Sequence, residues 1–302
     1  MALSRRESSV EPTHPVLVMG LEGWVDAGLA GGNALSALLG SMRTEPIVTF
    51  DADQLVDHRS RRPSQRIVDG VLESVTFSEI QLRAGTDAGG NDVLLLVGPE
   101  PDYKWKAFSD ELMAVCDDFG VRLAVGLGGF PAPMPHTRPT RVIATAIDQA
   151  MANDVGFIPG VREVPAGIHA ALLKGFEVHG TPALSLWAMV PHYVSGMPYP
   201  EASVGLLEQL ARLGGLVIDV SELRAAAEVT RTRIDGLIAQ NPEHIAMVEG
   251  LERQFEAELT DASGSGLSSD TGGHPPLDIE NLPSGDEIAA ELQRFLREEG
   301  QG

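Results

Sequence analysis

The sequence predicts an α/β protein with a mainly parallel central sheet flanked by helices, and three observations carry that expectation. Short β-branched and leucine runs alternate with longer stretches of helical periodicity over the first two-thirds of the chain. One run, Asp92–Val97, is continuously apolar after its opening aspartate, as a strand covered on both faces must be. The intervening helices are long enough to return the chain across the sheet, which parallel neighbours require.

In chain order, Val16–Met19 reads as the first strand and Asp26–Met42 as a helix rich in Ala, Gly and Leu. Pro46–Phe50, Val75–Leu82 and Asp92–Val97 follow as strands. Trp105–Phe119 is a helix with Phe108, Leu112, Val115 and Phe119 on one stripe. Arg122–Leu127 and Arg141–Ala146 are strands around a glycine–proline loop, and Pro165–Val178 is a helix. Ala183–Val190 closes the strand set and Ala202–Leu213 the core helices. Ser221–Ala239 and Pro242–Leu259 form a helical pair broken at Asn241-Pro242, the second helix carrying Ile245, Val248, Leu251, Phe255 and Leu259 at helical spacing. Asp261–Gly285 has the Gly, Ser, Asp and Pro content of a disordered tether. Asp286–Arg297 then reads as a short amphipathic helix that docks either on its own domain or on a partner. The expected organisation is a flexible N-terminus (1–14), an α/β core (15–220), a helical hairpin (221–259), a linker (260–285) and a short helix with tail (286–302).

Composition narrows the function classes. A net charge of −21 argues against nucleic acid and anionic membranes as partners. Nine acidic residues against Arg294 and Arg297 concentrate this charge from Thr260 onward. The opposite bias appears at His58–Arg66, where Arg59, Arg61, Arg62 and Arg66 make either a contact for an anion or acidic partner or a solvated loop. A single cysteine, Cys116, excludes an intramolecular disulfide and a cysteine-rich zinc site. No apolar run is long enough to span a bilayer and residues 1–14 lack a signal-peptide core, so a cytoplasmic location is expected.

Two loops carry the candidate site. Glu22, Trp24 and Asp26 follow the first strand, where open α/β sheets place ligands. The glycines there fit no phosphate-binding fingerprint, and the carboxylates would repel an anion. Asp26 is either a ligand-facing carboxylate or the N-cap of the following helix. The second loop, Gly126–His136, contains Gly128 and Gly129 for close backbone approach and three prolines that stiffen a lip. His136 is either a general base or a surface histidine, with no orienting carboxylate beside it in sequence. The segment Pro191–Pro200, with Tyr193, suits a pocket wall or a subunit contact. Neither a G-x-S-x-G elbow nor an H-E-x-x-H helix is present, His169, His179 and His192 lack metal-ligand spacing, and no complete catalytic set can be assembled.

Several segments together resemble the proteasome assembly chaperone 2 family. They are Gly20-x-Glu-Gly-Trp-Val-Asp-Ala-Gly28, Arg61-Arg-Pro63 ahead of Asp69-Gly70, Leu94–Gly98 with Glu100-Pro101, Gly126-x-Gly-Gly129, Gly167-Ile-x-x-x-Leu-Leu173, and Pro191-x-Tyr193 with Pro198–Ala202. The match spans His14 to Leu259, and the trailing helical pair and acidic tail are similar to the bacterial branch. The resemblance implies a sandwich similar to nucleoside phosphorylases and related hydrolases, homo-oligomers, and proteasome subunits or a related assembly as partners. Eukaryotic relatives help to assemble proteasome α-rings without catalysing a reaction. Some relatives dock through a C-terminal hydrophobic–tyrosine–any motif, which the ending Arg297–Gly302 lacks.

Two functions follow. One is a non-catalytic assembly chaperone or scaffold acting through protein contacts, with no cofactor and no metal. The other is a small-molecule-binding protein or enzyme of the phosphorylase/hydrolase-like class. Its pocket would be lined by Glu22, Trp24, Asp26 and Gly129, with Arg61, Arg62 or Arg141 holding an anion.

Overall fold

The alternation of apolar and amphipathic segments resolves into one eight-stranded sheet with helices on both faces, in a computed structural model that describes residues 3–23 and 25–264. The strands are β1 (Ser4–Arg6), β2 (Val16–Glu22), β3 (Glu45–Phe50), β4 (Ser64–Val68), β5 (Val71–Thr76), β6 (Ile80–Thr86), β7 (Asp92–Pro99), β8 (Leu123–Ala132), β9 (Val142–Ala146) and β10 (Ala183–Pro191). The helices are α1 (Ala30–Ser41), α2 (Ala52–Leu55), α3 (Trp105–Phe119), α4 (Gln149–Val155), α5 (Ile168–His179), α6 (Pro200–Gly214), α7 (Ser221–Ile238) and α8 (Pro242–Gly264).

The sheet order is β1-β3-β6-β7-β2-β8-β10-β9, with β4 and β5 forming a separate two-stranded hairpin. The four central strands β7, β2, β8 and β10 are parallel, because helices return the chain between successive members. The outer pairings β1–β3, β3–β6, β6–β7 and β10–β9 are antiparallel. Between β6 and β7 only a turn intervenes, and it fixes the reversal: the Asp87 carboxylate accepts the backbone N–H of Gly89 and Asn91, each at 2.8 Å. It also accepts Val217 N–H at 2.7 Å, tying the turn to the segment after α6.

Side-chain alternation sends Leu17, Met19, Leu94, Leu96 and Ala124 to the face covered by α3 and α5, where Phe108, Leu112, Leu172 and Phe176 are buried. Val16, Val18, Leu95, Val125, Leu184 and Leu186 point to the other face, against Ala34 and Leu38 of α1 and Leu206 and Leu210 of α6. The stripe read on Trp105–Phe119 is therefore the core face of α3, and Cys116 is buried within it.

Several expectations need correction. Residues 1–14 are not wholly flexible, because Leu3 is buried and β1 pairs with β3. The run Val75–Leu82 is not one strand. It spans the end of β5, an unpaired turn and the start of β6, whose apolar residues belong to different surfaces. The turn at Asp69-Gly70, with both residues at positive φ, closes the β4–β5 hairpin. Gly126–Ala132 is strand rather than loop. Beyond Gly126, β8 is hydrogen-bonded to β10 but no longer to β2, so Pro131 removes no donor that the sheet needs. α8 continues to Gly264, past the expected start of the linker; the remaining tether and the helix Asp286–Arg297 lie outside the described residues.

Candidate functional site

The carboxyl ends of β7, β2, β8 and β10 meet along one edge, and β2 and β8 part there after the Met19–Gly126 pairing. Such a parting is where an α/β sheet opens a ligand crevice. Here the chain fills it with its own helix start. Gly28, at φ 64°, lets the β2–α1 connection turn sharply. Its N–H donates to Ser195 O and its carbonyl accepts Tyr199 N–H, both at 2.8 Å.

Asp26 sits in this parting, half-buried. Its Oδ1 accepts Gly31 N–H at 2.8 Å and its Oδ2 accepts Gly32 N–H at 2.9 Å. The carboxylate thus caps α1 from below, the helix-capping alternative of the two open for this residue. Burial raises its pKa, and the backbone donors of Gly31, Gly32, Gly129 and Ala30 only partly offset that. A carboxyl whose folded pKa exceeds the unfolded value near 4 contributes most below that value, and its contribution declines as pH rises through the folded one. The stability difference between wild type and Asp26→Ala is therefore expected to shrink from about pH 4 to pH 7 in urea titrations. A difference that grows with pH would contradict the burial argument.

His136 stands on the segment after β8 and is buried, not a surface histidine. Tyr193 Oη accepts the His136 backbone N–H at 2.7 Å and lies 2.7 Å from its Nδ1. Asp235 Oδ1 of α7 lies 3.0 Å from its Nε2. This network assigns the tautomer: Tyr193 O–H donates to Nδ1, and Nε2–H donates to Asp235. The carboxylate that the local sequence lacks is supplied from 99 residues away. Burial holds the Tyr193 phenol protonated by raising its pKa, and pushes that of Tyr199 up to about 12. A cleft of about 220 Å³ opens beside His136, lined also by Arg138, Tyr199, Glu201, Arg224 and Arg231.

The other predicted residues are not gathered around one centre. Glu22 is exposed at the end of β2, and its backbone carbonyl accepts Glu100 N–H at 3.0 Å. Trp24 lies outside the described residues. Arg61 lies 3.7 Å from Asp102 at the end of β7, and Arg62 is exposed. Gly128 and Gly129 are buried in β8; a Cβ on Gly128 would meet the Trp187 ring at 2.7 Å, and one on Gly129 would meet Ala27 O at 2.7 Å. Arg141 pairs with Glu258 at 2.9 Å. Sequence reading named Glu100 within the family resemblance but gave it no role; it is a buried carboxylate that accepts Ile168 N–H at 2.5 Å and caps α5. Its partner is 68 residues away, so no local spacing signals it. Among the described residues no group of His, Cys, Asp or Glu is arranged to hold a metal ion, and no helix is long and apolar enough to cross a membrane.

The sheet, with its parallel centre and the helix start that fills the parting between β2 and β8, defines an α/β protein with helices on both faces. The chain belongs to the PAC2 family, whose model matches residues 20–238. A Mycobacterium tuberculosis proteasome-assembly chaperone homologue is 36% identical, with 77% of this chain and 99% of that one covered at a TM-score of 0.71. A Corynebacterium glutamicum protein of unknown function is 30% identical, with 86% and 98% covered at a TM-score of 0.79. An archaeal proteasome activator from Pyrococcus furiosus shares the fold at 15% identity and a TM-score of 0.61, with 78% and 97% covered. No curated protein sequence matches the chain.

Proposed function

We propose that this chain is a non-catalytic scaffold that acts through protein contacts in the assembly or regulation of a proteasome-related complex. The observation that carries the reading is the state of the carboxyl edge. Asp26 serves α1, Glu100 serves α5, and both ring nitrogens of His136 are engaged by the chain's own side chains. Asp26 and Glu100 are committed to backbone N–H groups at helix starts, and His136 ties α7 to the core through Tyr193 and Asp235, so each has a structural task. Family membership and the names of the bacterial chaperone homologue and the archaeal activator give the partner class. Self-association, expected from the resemblance, is part of the same reading.

The small-molecule alternative has one feature in its favour, the cleft beside His136. Its original pocket has less support, because Asp26 is a cap, Glu22 is exposed at the end of β2, and Arg61 lies beside Asp102. Affinity capture of the tagged full chain from its own cells tests the choice. Proteasome subunits enriched over an unrelated acidic protein are expected; their absence, with a metabolite co-purifying instead, would favour the alternative.

A further inference from the structure

α8 runs for 23 residues, yet up to Glu258 only Val248 and Phe255 are buried. Phe255 sits in a small apolar cluster at the carboxyl ends of β8 and β10, with Ala132 and Met134 and bordered by Phe130 and Met189. That cluster is separate from the two large ones on the sheet faces. The other fastenings are polar. Arg138 donates to Glu252 at 3.1 Å and to Glu256 at 2.6 Å, and Arg141 donates to Glu258 at 2.9 Å. These pairs are partly exposed, and exposed ion pairs hold a helix weakly. α7 is anchored differently, with Ile234 in the core cluster shared with α6 and Asp235 bonded to His136.

The surface beneath α8 has the make-up of a receiving groove. Phe130, Met134 and Met189 give it an apolar floor, and methionine adapts to differently shaped partners. Arg138 and Arg141 add two cations, in a chain with 43 acidic against 22 basic side chains. Charge and shape together state what fits, and α8 displays it. Glu252, Phe255, Glu256 and Glu258 stand at three- and four-residue spacing, an aromatic ring between carboxylates on one helix face. Helix-in-groove recognition reads anchors of this kind.

We propose that α8 is a releasable strap over a helix-docking groove, and that the groove receives an amphipathic helix of a partner protein bearing an aromatic side chain between carboxylates. The inference rests on the reading of the chain as a protein-binding scaffold, and names the surface it uses and the chemistry of the segment received. Release opens neither of the two large cores, and α7 stays in place.

A fluorescein-labelled peptide of α8 (Pro242–Gly264) serves as the probe, in anisotropy titrations with the full chain. The variant Phe255→Ser/Glu256→Lys, whose own strap is weakened, is expected to bind it at least tenfold more tightly than wild type. In wild type the tethered α8 competes at high effective concentration. Adding Arg138→Glu/Arg141→Glu to that variant should abolish binding, as should placing Phe255→Ser/Glu256→Lys in the peptide instead. A released variant that ignores the peptide, or a substituted peptide that binds as well as the original, would overturn the groove. Hydrogen exchange of wild type needs no variant to fold. Short helices are marginal when detached, so α8 amides should exchange at least tenfold faster than those of α7. The gap should widen at about 1 M salt, where the screening length is ~3 Å. Exchange of α7 and α8 as one unit at both salt levels would overturn the strap. Tagged released variant should also capture proteasome subunits at least tenfold more strongly than wild type. Equal capture by the two would overturn the strap and leave the scaffold reading standing. Peptide binding as expected, with no subunits captured by either, would overturn the proteasome partner and leave the strap standing.

Discussion

Gly129→Ala is expected to unfold at a free energy about 3 kcal/mol below wild type, the upper end of the usual cost of overpacking. A Cβ at this position would lie 2.7 Å from Ala27 O and 2.9 Å from Ala30 Cβ. The first obstacle is backbone, so no rotamer change relieves it. Gly31 has the mirror problem, since its Cβ would sit 2.7 Å from Leu127 O. The two glycines let the start of α1 lie directly on β8, and that contact puts Asp26 into the parting between β2 and β8. Chemical denaturation measures the loss. A variant with wild-type stability would mean that the helix start moves freely, and the crevice would then be open to ligands.

Phe108→Ala carries the largest expected cost, about 4 kcal/mol, from lost burial and the cavity left behind. Its ring is fully buried under α3 and packs edge-to-face on Phe50 at a centroid distance of 4.9 Å. The contact joins α3 to β3, so the loss loosens the antiparallel side of the sheet as well as the helix. For a domain of this size the midpoint should fall by about 10 °C. A shift of only 1–2 °C would mean that the site collapses around the deletion.

These two residues mark what the sequence disclosed. Phe108 was legible because helical periodicity is a local property, and the stripe Phe108, Leu112, Phe119 is the buried face of α3. Asp92–Val97 was legible for a similar reason, as its Val93–Leu96 run is apolar and buried on both faces of the sheet. Gly129 was half legible. Its composition correctly announced close backbone approach, but the neighbouring prolines made a strand look like a loop. Whether Pro131 can sit in a strand depends on which side β2 leaves free, and that is a tertiary fact. The hairpin was hidden because its apolar residues continue into β6, so Val75–Leu82 has the pattern of one strand although burial changes sharply at Ile80.

The candidate site was legible in its members and not in its arrangement. Asp26, His136 and Tyr193 do lie along the carboxyl edge of the parallel strands, as strand–loop–helix order places them. What each side chain does there depends on partners far away in sequence. Tyr193 reaches His136 across 57 residues, and Asp235 comes from a helix in the C-terminal pair. Those partners turn potential chemistry into structure: a cap, a tautomer lock and a tie between α7 and the core. The same C-terminal pair is fastened by Arg138 to Glu252 at 3.1 Å and to Glu256 at 2.6 Å, with Phe255 packed against Ala132 and Met134. Helices so attached extend the core.

The measurement closest to the central claim is native mass spectrometry of the purified full chain mixed with purified proteasome α and β subunits from the same cells. The account predicts a defined complex that includes the chain, with no small molecule required for its formation. Intact subunits and intact chain that remain wholly separate, at concentrations where each is stable, would contradict it.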